Sequence, residues 1–331
     1  MDYILNPQVL SDDVQKEPIR TGFGRGLKIA GDKNQAVVAL CADLTESTQM
    51  HLFRNAHPER FIEIGIAEQN LVTVASGLAR AGKIPFTSSY AAFSPGRNWE
   101  QIRTTVALNN QPVKIIGSHA GVSVGPDGAT HQMLEDIALM RVMPNMIVIA
   151  PGDSLEAEKA TLAIAENDKP SYMRLAREKT PIISTIESPF EIGKAYVLRE
   201  GQDISLLGTG ALTYQLLVAA DILAGLGIQA EVIHVPTIKP LDKDTITSSV
   251  RKTGRVVTAE EAQIAGGFGG AVAELLSSDL PTPLLRIGIQ DRFGESGDAS
   301  QLFDLFGLTG PKIAESVKNF VDTTPRYHQG F

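Results

Sequence analysis

The feature that most constrains this chain is an alternation. Short, nearly continuous apolar runs are separated by longer stretches with helical spacing, almost from end to end. In the first half the runs are Ala36–Leu40, Phe61–Ile64, Ile84–Thr87, Val113–Gly117, Met146–Ala150 and Ser171–Leu175. Runs that are apolar throughout suit strands buried on both faces. Between them the spacing predicts a helix over Ala67–Ala81, with Leu71, Val74, Ala75 and Leu78 on one stripe. Trp99–Leu108, His131–Met140 and Ser154–Glu166 read the same way. Strands alternating with helices predict parallel βαβ units joined by right-handed crossovers.

The alternation breaks once, between Thr180 and Glu191, where two prolines and several Ser/Thr residues carry no helical period. A domain boundary belongs there, giving 1–185 and 186–331. The 331 residues also match two domains of ordinary size. Beyond the break the pattern restarts with runs Asp203–Leu207, Ala230–Val235, Arg255–Ala259 and Leu284–Ile289. Helices are expected over Leu212–Leu226, Asp242–Lys252, Gly269–Ser278, Ala299–Phe306 and Pro311–Val321. The predicted fold class is α/β, with two doubly wound, mostly parallel-sheet domains, the second of about four strands.

Composition narrows the function. The net charge of −8 argues against nucleic acid as a main partner. One cysteine, Cys41, makes neither an internal disulfide nor a cysteine-based zinc site. With no apolar run near membrane-spanning length and no secretory start, the expectation is a cytoplasmic protein with no membrane partner. Two glycine motifs follow strands and open helices. Gly208-Thr-Gly210 has Thr213 where a dinucleotide fingerprint needs its third glycine, so a tight turn explains it better. Gly266-Gly-Phe-Gly-Gly270 suits close backbone packing, or a phosphate cradle.

Two segments are more polar than a plain domain needs. Ile64-Gly-Ile-Ala-Glu68-Gln-Asn70 runs from a strand into a helix, and Glu68 falls at the sheet edge where open parallel sheets hold ligands. A glutamate in a first turn also serves the helix dipole, and spacing alone does not separate the two roles. The second segment, Ser118-His119-Ala-Gly-Val-Ser-Val-Gly-Pro-Asp127-Gly-Ala-Thr-His131-Gln132, follows a strand. Asp127 before Gly128 would turn the chain and Thr130 would cap the next helix, but neither role accounts for the two flanking histidines.

These two segments, with the C-terminal FGESGDASQLFDLFGLTGPKI, resemble transketolases: the pyrimidine-binding domain and the C-terminal domain, over about Pro18 to Val321. The likeness is to the C-terminal half only, as in transketolases split between two genes. The GDG signature by which such enzymes hold the diphosphate through a metal is absent from the chain. The resemblance therefore implies thiamine diphosphate, with Mg²⁺ (or Ca²⁺) held mainly by an N-terminal transketolase subunit carrying the diphosphate-binding domain. It also implies an α₂β₂ heterotetramer, no metal ligand in this chain, and an isolated chain that binds the cofactor weakly or not at all.

What the resemblance implies for the residues follows position by position. Glu68 matches the glutamate set against the aminopyrimidine ring nitrogen, where a desolvated carboxyl shares a proton and favours the imino tautomer. Phe93, with Tyr90 beside it, matches the aromatic element on the pyrimidine, although i, i+3 aromatics also suit a core. A third family aromatic is replaced near Ser94-Pro-Gly96. Asp127 and His131 match the pair that contacts sugar hydroxyls and assists proton movement. His119, Arg177, Arg20 and Ser47 match substrate-phosphate positions. Asp43 matches a position near cofactor and subunit interface, and a turn aspartate explains it equally well. GATHQM stands where many single-chain relatives read GPTHQP. The implied activity is transfer of a two-carbon ketol unit between ketose and aldose phosphates, as in the pentose phosphate pathway. The alternatives are a deoxyxylulose-phosphate synthase-like or 2-oxo-acid dehydrogenase beta-like subunit, or a non-catalytic subunit that keeps the fold.

Overall fold

The computed structural model describes residues 3–327. Its first half runs β1 (Lys16–Pro18), α1 (Ile19–Lys33), β2 (Val37–Cys41), α2 (His51–Ala56), β3 (Phe61–Glu63), α3 (Glu68–Arg80) and β4 (Ile84–Tyr90). A short helix α4 (Trp99–Gln101) continues as a π-helical segment (Ile102–Ala107). Then come β5 (Lys114–Ser118), α5 (Asp136–Arg141), β6 (Ile147–Ile149), α6 (Ser154–Ala165), β7 (Ser171–Arg174) and β8 (Lys179–Pro181). The second half comprises β9 (Tyr196–Arg199), β10 (Ile204–Gly208), α7 (Leu212–Gly225), β11 (Ala230–His234), β12 (Thr237–Lys239) and α8 (Lys243–Thr253). It ends with β13 (Val256–Gln263), α9 (Phe268–Asp279), β14 (Leu284–Ile289), α10 (Ala299–Leu305) and α11 (Gly310–Thr323).

Two sheets result. The larger has the order β12-β6-β7-β5-β4-β2-β3 and the smaller β14-β13-β10-β11-β9. Six strands of the larger sheet are parallel, as are four of the smaller. Each sheet carries one antiparallel edge strand, β12 and β9 respectively. Strand β12 lies in the second half of the chain yet closes the first half's sheet. Three residues between Pro236 and Pro240 were too short to read as a strand.

Every apolar run named from sequence became a strand. Helix α1, in contrast, lies in a stretch where the sequence suggested no element. Its segment holds Gly22, Gly24, Gly26 and Gly31, which lower helix propensity. Packing overrides propensity here: a Cβ on Gly22 would lie 1.7 Å from the Ser154 carbonyl oxygen, and one on Gly26 2.8 Å from that of Glu158. The glycines let α1 lie directly on α6 while Ile19, Phe23, Leu27 and Ala30 face the sheet.

Two expected helices differ. On α3 the buried stripe is Leu71, Val72, Ala75 and Ala79; Leu78 is half-buried and Val74 faces outward, one step round the helix from the expected stripe. The helix expected over His131–Met140 forms only from Asp136, so Thr130 caps nothing and instead pairs with the His131 Nδ1 at 2.9 Å. Among the described residues no helix is long and apolar enough to cross a membrane.

Candidate functional site

All the candidate residues but one lie beyond the carboxyl ends of the large sheet's parallel strands. The exception, Arg20, opens α1 directly after β1, which pairs with β8 just past the exit of β7. The chain leaves β2 toward one sheet edge and β4 toward the other, so the sheet switches direction between these neighbours, where ligands of open α/β sheets collect. Asp43 and Ser47 follow β2, Glu68 follows β3, Tyr90 ends β4 with Phe93 just after it, His119 follows β5, and Arg177 follows β7. Strand register does part of the positioning. Tyr90 lies opposite Ser118 in the β4–β5 ladder, which brings the Tyr90 ring over His119, with centroids 3.9 Å apart and planes at 24°.

Around that stack the other rings gather. Phe93 lies 6.1 Å from Tyr90, and His131 meets Phe93 edge-on at 5.4 Å. Glu68 is only 2% exposed, in the first turn of α3. Its Oε2 accepts a hydrogen bond from Arg97 Nη1 at 2.8 Å, and the Arg97 guanidinium carbon sits 4.8 Å above the Phe93 ring. Asn98 Nδ2 donates to the Glu68 carbonyl at 2.8 Å, which ties the β4 exit loop to the start of α3.

The His119 side is cationic. Arg20 Nη1 donates to the Arg177 carbonyl, and Arg177 Nη1 donates to the Val124 carbonyl at 2.5 Å. Burial first, then the nearby Arg20, Arg177 and His131, push the His119 imidazole down to about 3, so it is neutral in ordinary buffers. Burial and the Arg177 charge likewise lower Arg20. Two arginines beside a neutral imidazole form a donor-rich seat for an anion.

Asp127 closes a short 3₁₀ turn, Val122–Asp127, and is exposed. The turn is held from below by Gln132, from the same polar segment, and by residues the sequence did not single out. Glu261 Oε1 on β13 accepts from the Ser123 amide at 2.5 Å, and Gln132 Nε2 donates to the carbonyls of Gly125 (3.0 Å) and Glu295 (2.8 Å). Arg174 Nη2 donates to the Glu261 carbonyl at 2.6 Å and its Nε to Asp136 Oδ2 at 3.0 Å; Tyr172 donates to the same oxygen at 2.7 Å. This buried chain of polar groups joins the turn carrying Asp127 to both sheets. Burial raises Glu261, and burial together with Asp136 pushes the Tyr172 phenol up.

The remaining candidates stand apart. Asp43 is exposed with φ 57°, and its amide, like that of Gly65, donates to Glu63 Oε1. Ser47 is half-buried in the turn before α2. Among the described residues no hydrogen bond joins either to Glu68 or His119. Arg97 and Asn98 were missed, and their only sequence cue was position, four and five residues past Phe93.

The glycine motifs are structural. A Cβ on Gly208 would meet Leu216 and Thr213, as close strand–helix packing requires. At Gly266–Gly270 the helix N-terminus is filled by the chain's own Glu260, which accepts from the Phe268 and Gly269 amides at 2.7 and 2.8 Å, so no phosphate cradle is open there. Burial raises Glu260 to about 7 despite those amides. A cavity of about 630 Å³ lies at the seam between the halves, with Arg177, Lys179, Tyr214 and Phe303 on its wall. Glu68, Tyr90, Phe93, His119 and His131 are not on its wall. Among the described residues no three His, Cys, Asp or Glu side chains gather to hold a metal.

Comparison with known proteins agrees with this architecture. Residues 15–182 match the family "Transketolase, pyrimidine binding domain", and residues 193–313 match "Transketolase, C-terminal domain". The chain is 46% identical over 302 residues to a protein of Methanocaldococcus jannaschii provisionally described as a transketolase C-terminal section, covering 90% of this chain and 95% of that one. It is 43% identical over 285 residues to a 6-deoxy-6-sulfo-D-fructose transketolase subunit of a Clostridium species, covering 86% and 88%. Among solved structures it superposes, with a TM-score of 0.87 and 41% identity, on a split gene transketolase described as an inactive beta4 tetramer, covering 93% of this chain and 99% of that one.

Proposed function

The chain belongs to the transketolase family, as a C-terminal section made of pyrimidine-binding and C-terminal domains, and from that premise we propose that it is the C-terminal subunit of a two-subunit transketolase, moving a two-carbon ketol unit between sugar phosphates. One observation carries the reading. A buried carboxylate, an aromatic face and two histidines gather along the carboxyl edge of one sheet, with two arginines on the His119 side.

The residues fit thiamine diphosphate. Glu68 presents a nearly inaccessible carboxylate whose Oε2 is bonded to a half-exposed guanidinium, and Phe93 offers a ring face beside it. A planar, nitrogen-rich ring suits that pair. When bound, the cofactor supplies the nucleophile and the electron sink for breaking a carbon–carbon bond. Glu68 would hold a proton at the pyrimidine nitrogen, and Phe93 and Tyr90 would fix the ring plane. Asp127 and His131 would bind hydroxyls of the donor sugar and move its protons. Arg20, Arg177 and His119, with Ser47, would hold the anionic end of the sugar, and Asp43 would lie toward cofactor and subunit interface. The divalent cation and the diphosphate would be held by an N-terminal subunit, in an α₂β₂ assembly in the cytoplasm.

A coupled ketol-transfer assay with xylulose 5-phosphate, ribose 5-phosphate, thiamine diphosphate and Mg²⁺ tests the reading. The chain is measured alone and co-expressed with a subunit carrying a diphosphate-binding domain. Activity is expected only in the pair, and Glu68→Gln should lower it by about 10²–10⁴. A cofactor-loaded pair that transfers no ketol unit from this donor or from 6-deoxy-6-sulfofructose would refute the reading. So would a Glu68→Gln variant of unchanged activity.

A further inference from the structure

We infer that Arg97 is a built-in competitor for the cofactor: its guanidinium fills the seat between the Glu68 carboxylate and the Phe93 ring, and it must swing out for the aminopyrimidine to enter. The inference rests on the reading given under Proposed function and adds a residue to it.

The geometry is the ground for it. The reading asks of the pyrimidine ring a hydrogen bond to Glu68 and a stack on Phe93. Arg97 makes both contacts, donating to Glu68 Oε2 at 2.8 Å with its guanidinium carbon 4.8 Å above the Phe93 ring. A guanidinium is a flat group with N–H donors on its edge and a face that stacks on aromatics, which are the features an aminopyrimidine edge presents. Glu68 is 2% exposed, and among the described residues Arg97 is the one side chain bonded to its carboxylate.

Displacement is mechanically simple. Arg97 is about half exposed, and among the described residues its side chain makes one hydrogen bond, the one to Glu68. Its backbone is pinned on both sides, by its own amide to the Phe93 carbonyl at 3.0 Å and by Asn98 to the Glu68 carbonyl. Only the side chain therefore has to move. The pairing also has a purpose. A buried carboxylate without a partner is costly, and Arg97 supplies the partner until the cofactor does.

The test is binding, not turnover. Thiamine diphosphate with Mg²⁺ is titrated calorimetrically into the assembled two-subunit complex, and the association rate is followed by stopped flow. Arg97→Ala should bind three- to tenfold more tightly and associate faster than wild type, with Arg97→Lys between them. In a Glu68→Gln background, where Arg97 has lost its anchor, Arg97→Ala should change affinity less than twofold. Binding by wild type that is unchanged or weakened in Arg97→Ala overturns the competitor and leaves the thiamine reading standing. An equal gain with and without Glu68 also overturns it. Failure of both wild type and Arg97→Ala to bind removes the thiamine reading, and the competitor with it.

Discussion

Replacing Asp136 by leucine tests whether the buried polar chain beneath the Asp127 turn holds the two halves together. The Asp136 carboxylate is fully buried, pairs with Arg174 at 3.0 Å and accepts from the Tyr172 phenol at 2.7 Å. Leucine fills a similar volume but strands the Arg174 cation, which is 6% exposed. Removing one partner of a buried pair costs about 3–5 kcal/mol, and the orphaned phenol adds about 1–3. We expect Asp136→Leu to lose about 4–8 kcal/mol, a large share of the ~5–15 kcal/mol available to a folded protein. Adding Arg174→Met removes the stranded charge and gives up one bond to the Glu261 carbonyl. The double variant should recover about 2 kcal/mol relative to Asp136→Leu alone, a second core substitution that stabilises. Urea unfolding followed through Trp99 measures it well. Trp99 is the single tryptophan, and its indole donates at 2.9 Å to the carbonyl of Leu139, on the same helix as Asp136. Far-UV circular dichroism supplies the second probe. The reasoning fails if Asp136→Leu costs less than about 1 kcal/mol, or if Arg174→Met is no less destabilising in that background than in the wild type.

Two further outcomes follow from other parts of the structure. Gly22→Ala forces a methyl to within 1.7 Å of a backbone carbonyl on α6 and should destabilise by about 1–3 kcal/mol or more, whereas Gly77→Ala, a helical position with nothing within 4 Å, should stabilise by about 0.4–1 kcal/mol; thermal unfolding of the two variants side by side decides it. His119 should stay neutral on acidification, since its folded value near 3 lies below the unfolded 6.5. The native state refuses a proton that the unfolded chain accepts, so His119 contributes stability above pH 6.5 that is lost as pH falls toward 3; a His119 ring-proton resonance that titrates near 6.5 would contradict this.

The parallel strands were legible because burial on both faces leaves a signal that survives in one dimension. Val37–Cys41, Lys114–Ser118 and Ile204–Gly208 are buried at every position. What sequence could not show is decided by contact between distant segments. Four glycines argue against α1 until Ser154 and Glu158 are seen pressed against two of them. Strand β12 has three residues, and only the exposed edge of β6 makes it a strand. The expected start of α5 came from reading Thr130 as a cap, but Gly128 and His131 stay in a loop tied down by Gln132.

The candidate site divides along the same line. A carboxylate or a histidine at an otherwise apolar strand exit stands out in a sequence, and the resemblance to transketolases adds the aromatic positions. Glu68, Tyr90, Phe93, His119 and His131 are of these two kinds, and the sheet brings them to one edge. Residues that act on those groups were not found. Arg97, Asn98, Arg174 and Glu261 read from sequence as ordinary surface or helix polarity, and each gains meaning only from its partner in space. The consequence is a rule for substitutions here. Changes at the strand exits should alter chemistry with the fold intact, while changes at Arg174 or Glu261 should loosen the Asp127 turn and weaken the joint between the sheets together. A variant such as Glu261→Gln that lowered activity while leaving urea stability untouched would show that the turn is held by something other than this chain of buried groups.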